Sequence, residues 1–248
     1  MPALDWLTAR PIAHRGLHDA AAGTIENTPS AFTAAIIGNY AIECDIQITA
    51  DGEAMVHHDD VLGRLTEGSG RLDGMMMADL KQVRYKTTAD RMMTLGELSD
   101  LVCARVVLVV ELKSRFDGDL RLPKRAAAVL SGYAGPAAVI SFDPAQIAAL
   151  RATAPKLPRG IVAESRHGDR DWRGLPARKT TAFGYFRHVL RARPQFMAYS
   201  IRDLPAPVPL IARRMLGLPL LTWTVRTHAD RKRAARWADQ IIFEGFRP

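Results

Sequence analysis

The chain has 248 residues, of which 48% are hydrophobic and 24% charged, a composition typical of a globular protein with a sizeable core. No apolar run approaches the roughly 18 residues that a membrane-spanning helix needs. The net charge is +8 but uneven, because residues 1–124 carry 13 Lys and Arg against 18 Asp and Glu, whereas residues 125–248 carry 21 against 8. The basic half favours an anionic partner, such as a phosphorylated substrate, a membrane surface or a nucleic acid, but charge alone does not select one.

The N-terminal segment MPALDWLTARPIAHRG carries an acid, Asp5, and no apolar core of a leader, so we expect that it is not a signal peptide. The two cysteines, Cys44 and Cys103, lie in no metal-ligand spacing, which predicts free thiols in a reducing compartment. We therefore expect a cytoplasmic protein.

Short apolar runs rich in β-branched residues alternate along the chain with stretches of helical periodicity. The predicted strands are PIAHRG (11–16), AIECDI (41–46), RVVLVVELK (105–113), AAVISF (137–142), RGIVAE (159–164), FMAYSI (196–201), LPLLTWTV (218–225) and QIIFEG (240–245). The predicted helices are PSAFTAAII, LGELSDLV, KRAAAVLSG, PAQIAALRA, PVPLIARRML and HADRKRAARWA. This alternation predicts an α/β protein with a TIM (β/α)₈ barrel. A doubly wound open sheet is less favoured, because no GxGxxG follows a predicted strand.

A ninth strand-like run, AMVHH at 54–58, follows TADGE with no helix before it. Asp-Gly between alternating residues indicates a β-hairpin after the second strand. With a two-residue loop, Asp45 faces His58; with a three-residue loop, it faces His57 instead. We predict the two-residue loop and therefore His58 beside the carboxylates of the second strand.

Barrel enzymes build their sites at the carboxyl ends of the strands. The predicted strands end in or near the polar residues His14, Arg15, Glu43, Asp45, Glu111, Lys113 and Trp223. Glu111 lies in a run apolar enough to be buried, and a buried charge needs a partner or a metal ion. Three carboxylates on one rim repel one another without a cation, and oxygen ligands suit Mg²⁺ or Ca²⁺. Glu43, Asp45 and Glu111 are therefore the predicted ligands of one divalent cation.

Two cations and two histidines accompany these carboxylates. Arg15 and Lys113 suit an anionic group bound beside the metal, and a phosphate fits a guanidinium fork with a point-charge amine. His14 and His58 are available as acid and base near neutral pH. Together these groups describe the cleavage of a phosphodiester, the reaction of a phosphoric diester hydrolase.

The motifs IAHRG, IENTPSAFTAAI, IECDIQITADGEAMVHHD, VELKS, VISFD and TWTV, in this order, closely resemble the glycerophosphodiester phosphodiesterases. The resemblance runs over nearly the whole chain. It implies a single TIM-barrel domain, 1–248, with a small insertion at about 60–95. It also implies metal-dependent hydrolysis of glycerophosphodiesters to glycerol 3-phosphate and an alcohol. In this family a neighbouring substrate hydroxyl commonly attacks phosphorus, and water later opens the cyclic phosphate.

The resemblance also implies residue roles. The carboxylates Glu43, Asp45 and Glu111 match the metal ligands of the family, and His14 and His58 match its general base and acid. Arg15 and Lys113 match the phosphate-binding cations, and Trp223 matches a tryptophan of the substrate pocket. Supporting roles fall to Glu26, Asn27 and Asp59.

Two places depart from the family pattern. The last strand usually ends in Thr-Asp-x-Pro, whereas this chain has IIFEGFRP, so either Glu244 stands in or the end of the barrel is rearranged. After WTV the family usually has Asn or Asp, whereas this chain has Arg226. We expect Arg226 to disfavour choline or ethanolamine headgroups through like charge and to favour anionic or polyol groups.

The stretch from Lys156 to Arg193 holds ten Lys and Arg residues, with Trp172, Phe183, Tyr185 and Phe186 interleaved. This composition favours a patch at the inner face of a membrane, which would make the protein a lysophospholipase D-type enzyme acting on lysophospholipids. The same composition is compatible with nucleic-acid binding, the less favoured interpretation. A third alternative is a non-catalytic barrel that binds anionic lipid or nucleic acid. The complete metal and histidine set argues against it.

Overall fold

The computed structural model describes residues 4–165, 189 and 192–248. Its strands are β1 Ile12–Ala13, β2 Ala41–Ile48, β3 Ala54–Val56, β4 Leu108–Leu112, β5 Ala137–Ser141, β6 Arg159–Ala163, β7 Phe196–Ser200, β8 Leu220–Val225 and β9 Gln240–Phe243. Eight of them form a parallel ring in the order β1-β2-β4-β5-β6-β7-β8-β9, which closes because β1 pairs with both β2 and β9. The predicted TIM barrel is confirmed, and β3 lies outside the ring, antiparallel to β2.

The described helices are α1 Asp5–Thr8, α2 Pro29–Ile37, α3 Met77–Leu80, α4 Leu95–Val102, α5 Arg121–Leu130, α6 Pro144–Thr153, α7 Pro207–Leu216 and α8 His228–Trp237. Short 3₁₀ turns cover Ala20–Ala22, Leu72–Gly74 and Ile201–Asp203. Local chemistry sets several helix starts: the Thr28 hydroxyl accepts from Ala31 N at the start of α2, and Thr94 forms a capping box with Glu97 at the start of α4. None of the described helices has the length and apolar content that a membrane crossing requires.

Alternate side chains of the strands point into the barrel, and the others pack beneath the helices. The interior cluster includes Ile12, Ala41, Val109, Ala138, Ile140, Val162, Phe196, Ala198, Leu221 and Ile242. Glu43 and Asp45 share the phase of Ala41, and Glu111 shares the phase of Val109. The three carboxylates therefore point into the barrel, whereas Cys44 belongs to the cluster that packs against the helices.

The β2–β3 hairpin differs from its predicted register. Ile46 pairs with Val56 and Ile48 with Ala54. The prediction of a two-residue loop, which would place Asp45 opposite His58, is therefore wrong. Three residues, 50–52, form the loop, and Gly52 takes the left-handed conformation with a φ of 82°. The Asp51 carboxylate holds this longer loop, because it accepts hydrogen bonds from the Thr49 hydroxyl and from Met77 N.

Residues 57–94 lie between β3 and α4 and contribute most of a small apolar cluster, which Ile25 and Met55 complete. Its buried members are Ile25, Met55, Leu62, Leu72, Leu80, Tyr85 and Met92. Met75 and Met77 pack against this cluster, whereas Met76 is half-exposed. This segment extends one side of the cleft above the carboxyl ends of β2 and β4.

Most of the basic and aromatic stretch from Lys156 to Arg193, including Trp172, lies outside the described residues. Of its described members, Arg159 does not belong to a surface patch. Its guanidinium is buried and donates to the carbonyl oxygens of Pro155 and Ala192. Burial lowers the pKa of this guanidinium.

Candidate active site

Three carboxylates, Glu43, Asp45 and Glu111, converge inside the mouth of the barrel. The parallel register places Asp45 directly beside Glu111 on neighbouring strands. One carboxylate oxygen from each residue lies within 4.8 Å of the other two. The exposed fractions of the three residues are 1%, 0% and 8%, so the group is almost fully desolvated.

The electrostatics of this group suit a divalent cation. Burial, and then the charges of Asp45 and Glu111, raise the pKa of Glu43 well above its usual range. Burial alone would raise the pKa of Asp45, but the charges of Lys113 and Arg15 hold it well below its usual range. Glu43 Oε1 is buried and has no hydrogen-bond partner among the described residues. An unsatisfied buried oxygen within an all-carboxylate set fits a hard cation such as Mg²⁺ or Ca²⁺.

Arg15 and Lys113 lie against the carboxylates. Arg15 Nε is 3.2 Å from Asp45 Oδ2, and Lys113 Nζ is 2.9 Å from Asp45 Oδ1 and 2.6 Å from Glu111 Oε1. The backbone N–H of Arg15 donates to Glu43 Oε2 at 2.9 Å. The chain can turn here because Arg15 and Gly16 both have positive φ angles. Two cations therefore lie beside the three carboxylates, within the mouth of the barrel.

Two residues of the ENT motif hold this arrangement. Asn27 Nδ2 donates to Asp45 Oδ2 at 2.8 Å, and Asn27 Oδ1 accepts from Asp45 N at 3.2 Å. Asn27 has a φ of 55°, a left-handed conformation that Asn tolerates better than most residues. Glu26 accepts from Arg15 Nη1 at 2.7 Å. Burial would raise the pKa of Glu26, but hydrogen bonds and charges from Arg64 and Arg15 lower it to about 2.

His14 is oriented by a carboxylate from the last strand. Its backbone N–H donates to Phe243 O, which places the ring beside Glu244. His14 Nδ1 lies 2.5 Å from Glu244 Oε2, and its Nε2 lies 4.0 Å from Glu43 Oε2. Burial would raise the pKa of Glu244, but the hydrogen bond from His14 and the nearby His18 ring lower it, so this carboxylate is ionised and only accepts. His14 Nδ1 therefore carries the proton.

Burial, and then the charge of Arg15, lower the pKa of His14 to about 4 despite the attraction of Glu244. The imidazole is thus neutral near pH 7. With Nδ1 protonated, the lone pair of Nε2 is directed toward the carboxylates and can accept a proton.

His58, and not His57, lines the cleft. The strand ends at Val56, and the chain then turns so that His58 reaches the cleft, although His57 N bonds to Asp45 O. His58 Nδ1 lies 2.8 Å from Asp59 Oδ1. Within the described part of the chain, His57 lines neither arm of the cleft, and burial lowers its pKa to about 4.

The cleft has two arms that share His58, Glu111, Lys113 and Phe142. The larger arm, about 590 Å³, extends along residues 57–94 and includes Gln47, Asp59, Arg64, Arg71 and Arg115. The smaller arm, about 200 Å³, lies over β6, β7 and β8 and includes His14, Arg15, Glu164, Ser200, Arg202, Trp223 and Arg226. Trp223 packs edge-to-face on Phe142, with 5.5 Å between the ring centroids. Both arms therefore open from the predicted reaction centre.

A family model places the chain among known proteins. The model of the glycerophosphoryl diester phosphodiesterase family matches residues 14–245, which include the site and nearly the whole barrel. The chain belongs to the glycerophosphoryl diester phosphodiesterase family.

Similar members of the family come from several bacteria. The chain is 29% identical over 178 residues to a "probable glycerophosphodiester phosphodiesterase 1" of Mycobacterium tuberculosis; the match covers 62% of this chain and 64% of the relative. It is 34% identical over 111 residues to a glycerophosphodiester phosphodiesterase of Caldanaerobacter subterraneus, covering 42% and 44%. The chain thus spans less than two thirds of the length of these relatives.

Solved structures share the fold. An Oleispira antarctica phosphodiesterase, determined with the product sn-glycerol-3-phosphate, has a TM-score of 0.76 at 20% identity, covering 96% of this chain and 94% of that one. The glycerophosphodiester phosphodiesterase of Thermotoga maritima has a TM-score of 0.70 at 20% identity, covering 94% and 92%.

The two departures from the family pattern meet in space. Arg226 Nε lies 2.6 Å from Glu244 Oε1, and the other oxygen of Glu244 contacts His14. Glu244 therefore contacts both Arg226 and His14, and the last strand still pairs with β1 in the closed ring. The sequence marked Glu244 as unusual, but gave no signal that it contacts a histidine 230 positions earlier.

Two residues near the site, Arg64 and His18, were not predicted from the sequence. Arg64 lies five residues after Asp59 and contacts it, and His18 Nε2 lies 3.7 Å from Glu244 Oε2. Neither residue falls on a strand end or in a periodic pattern, so the rule that located the other groups does not reach them.

Proposed function

We propose that this protein is a metal-dependent phosphoric diester hydrolase that cleaves glycerophosphodiesters to glycerol 3-phosphate and an alcohol. The observation that carries the proposal is the buried Glu43–Asp45–Glu111 group, flanked by two cations and by two histidines that each contact a carboxylate. The sn-glycerol-3-phosphate complex of the Oleispira antarctica phosphodiesterase supports the same product here.

Binding of the diester falls to the cations of the site. Arg15 offers a guanidinium fork and Lys113 an ammonium to the non-bridging phosphoryl oxygens. Glu43, Asp45 and Glu111 would hold the divalent cation, which when bound polarises a phosphoryl oxygen and stabilises developing charge. The depth of the group excludes bulk water, so these interactions are stronger than they would be on the surface.

Proton transfer falls to the two histidines. His14 is neutral, with Nδ1–H on Glu244, so its Nε2 accepts the proton of the attacking hydroxyl, from the substrate or from water. Protonated His58, with Nδ1–H on Asp59, presents Nε2–H to the leaving alcohol. The carboxylate behind each ring fixes its orientation and tautomer, as in other acid–base pairs.

A substrate panel tests this proposal. The purified protein is incubated with glycerophosphocholine, glycerophosphoethanolamine, glycerophosphoglycerol, glycerophosphoserine and a lysophospholipid, each with Mg²⁺, with Ca²⁺ and with excess chelator. We expect glycerol 3-phosphate to be released from the glycerophosphodiesters, chelator to abolish the release, and His14→Ala to lack it. Products are identified by mass, which also detects a cyclic phosphate. Release of lysophosphatidate alone would select the lysophospholipase D-type alternative, and no release from any diester would contradict the proposal.

A further inference from the structure

Arg64, from the segment between β3 and α4, contacts two carboxylates of the site with different edges of one guanidinium. Its Nε lies 2.5 Å from Asp59 Oδ2. Its Nη2 and Nη1 lie 2.7 Å and 3.2 Å from the two oxygens of Glu26. One side chain thus joins two acids that are 33 positions apart in the chain.

Each of these two acids also contacts a residue with a predicted role in the reaction, either His58 or Arg15. Asp59 Oδ1 holds His58 Nδ1 at 2.8 Å. Glu26 Oε1 accepts from Arg15 Nη1 at 2.7 Å, and Arg15 Nε in turn lies 3.2 Å from Asp45. A continuous series of charge-assisted contacts therefore runs from His58 through Arg64 to Arg15. The predicted proton donor, His58, and the predicted phosphate-binding residue, Arg15, are therefore both connected to Arg64.

We propose that Arg64 is a positioning residue that sets the orientation of His58 and the position of Arg15 together. The inference rests on the proposed diester cleavage and adds a residue to it. A guanidinium can satisfy both acids because its donors lie in a rigid planar fork, whereas a lysine ammonium is a single point charge that does not span the two acids in the same geometry.

A purely structural role for Arg64 makes a different prediction. Half-exposed ion pairs contribute little to stability, and the Arg64 side chain is 41% exposed. Arg125 offers a matched control: it is 40% exposed and bonds Glu53 through two contacts of 2.8 Å. Arg125 lines neither arm of the cleft that the described residues form. Loss of either arginine should therefore cost similar stability, but only loss of Arg64 should change catalysis.

The test compares two leaving groups in the presence of Mg²⁺ or Ca²⁺, whichever supports wild-type activity. Glycerophosphoglycerol releases an alkoxide that needs a proton, whereas the p-nitrophenyl ester of glycerol 3-phosphate releases a phenolate that does not. A misplaced His58 slows only the first. We expect Arg64→Ala to lower kcat by about 10- to 100-fold for glycerophosphoglycerol and to change it little for the nitrophenyl ester. KM should rise for both, because Arg15 loses its support.

Companion variants keep the test decisive. Asp59→Asn should reproduce the dependence of kcat on the leaving group, and adding Arg64→Ala to it should lower kcat no further, because the two residues act through one contact. Arg64→Lys retains the charge, so it serves if Arg64→Ala does not fold, and it should keep a partial defect confined to the alkyl leaving group. Arg125→Ala should leave both substrates unaffected.

The outcomes separate this inference from the proposed function. Wild-type protein that cleaves neither diester would overturn the function itself. If the wild type cleaves both diesters but Arg64→Ala and Arg64→Lys lower kcat equally for the two leaving groups, or leave kcat unchanged, the proposed role of Arg64 is wrong. Thermal unfolding of each variant shows whether a lost activity reflects a lost fold.

Discussion

At the scale of single residues, the site depends on side chains that hold other side chains. His14 has Glu244, His58 has Asp59, Asp45 has Asn27, and Arg15 has Glu26. Each supporting contact is a hydrogen bond of 2.5–2.8 Å to a buried or half-buried partner. Such contacts fix a rotamer or a tautomer, so their removal should change rates or metal affinity more than it changes stability.

Replacing Glu244 with Gln tests the first of these contacts. The amide keeps the shape of the carboxylate but loses the charge that holds the proton on His14 Nδ1, so the tautomer with a free Nε2 is no longer favoured. We expect kcat for glycerophosphoglycerol to fall by about 10- to 100-fold with little change in KM. Asp239→Asn is the control, because it removes the Arg213–Asp239 ion pair near the amino ends of β8 and β9. Unchanged kcat in Glu244→Gln would show that His14 does not need this partner.

Asn27 controls the orientation of a predicted metal ligand. Asn27→Ala removes both hydrogen bonds to Asp45, so only the contacts with Lys113 and Arg15 still orient the carboxylate. We expect the divalent-cation concentration that gives half-maximal activity to rise by about 10- to 100-fold. Asn39→Ala is matched, because Asn39 has a φ of 57° against 55° for Asn27 but lies outside the cleft. An equal response of both variants to added metal would contradict the assignment.

At the scale of elements, the sequence predicts best where local chemistry decides. Helices α2, α4 and α7 lie on the predicted residues, since each begins at a proline or a capping threonine. The first strand is shorter than predicted, because the chain turns away at Arg15 and Gly16, both with positive φ. The hairpin register depended on contacts of Asp51 with Thr49 and with the distant Met77, which no local pattern reveals.

In the site too, features set by local sequence were predicted, whereas features set by contacts between distant segments were not. The strand-end rule located the acids and cations because the parallel register brings the ends of neighbouring strands to one edge. His58 was predicted from the hairpin register and then from the resemblance; it lies in the cleft, although the predicted register is wrong. The Glu244–His14 contact needs the ring to close between the first and last strands, so it could not be derived from either segment alone.

Packing between neighbouring strands of the barrel gives an element-scale prediction. Gly160 in β6 leaves room for the Phe196 ring of β7, and a Cβ at Gly160 would come within 2.5 Å of that ring. Gly160→Ala should therefore destabilise the protein by about 1–3 kcal/mol, as overpacking of a core does. In contrast, among the described residues a Cβ at Gly96 in α4 meets only Thr94 Oγ1, at 3.7 Å, so Gly96→Ala should be stabilising by about 0.4–1 kcal/mol.

Urea unfolding followed by circular dichroism measures both changes. The double variant Gly160→Ala with Phe196→Leu should recover part of the loss, because the smaller side chain gives space to the new methyl group. If Gly160→Ala were as stable as the wild type, β6 and β7 would have to separate more readily than the closed ring suggests.

At the scale of the whole molecule, the fold buries ionisable groups that the unfolded chain exposes. The pKa of Glu26 falls from 4.5 in the unfolded chain to about 2 in the fold. Glu26 therefore stabilises the folded state at pH values above 4.5, and this contribution is lost as the pH falls toward 2. His57 acts at a higher pH. Its pKa falls from 6.5 in the unfolded chain to about 4 in the fold, where it is 2% exposed. As the pH falls, the free energy of unfolding therefore decreases first through His57, between pH 6.5 and about 4, and then through Glu26, between pH 4.5 and about 2.

The contribution of His57 can be isolated from the pH dependence of stability. Between pH 6.5 and about 4 the unfolded chain binds a proton at this position and the folded protein does not, so stability is fully present above pH 6.5 and declines as the pH falls. The decline attributable to His57 amounts to about 1–3 kcal/mol. His57→Gln should have a shallower fall in the free energy of unfolding between pH 7 and pH 4.5, measured by urea titration in chelator, whatever its stability at pH 7. A slope equal to that of the wild type would mean that His57 accepts a proton in the folded state, and that its burial does not drive the acid response.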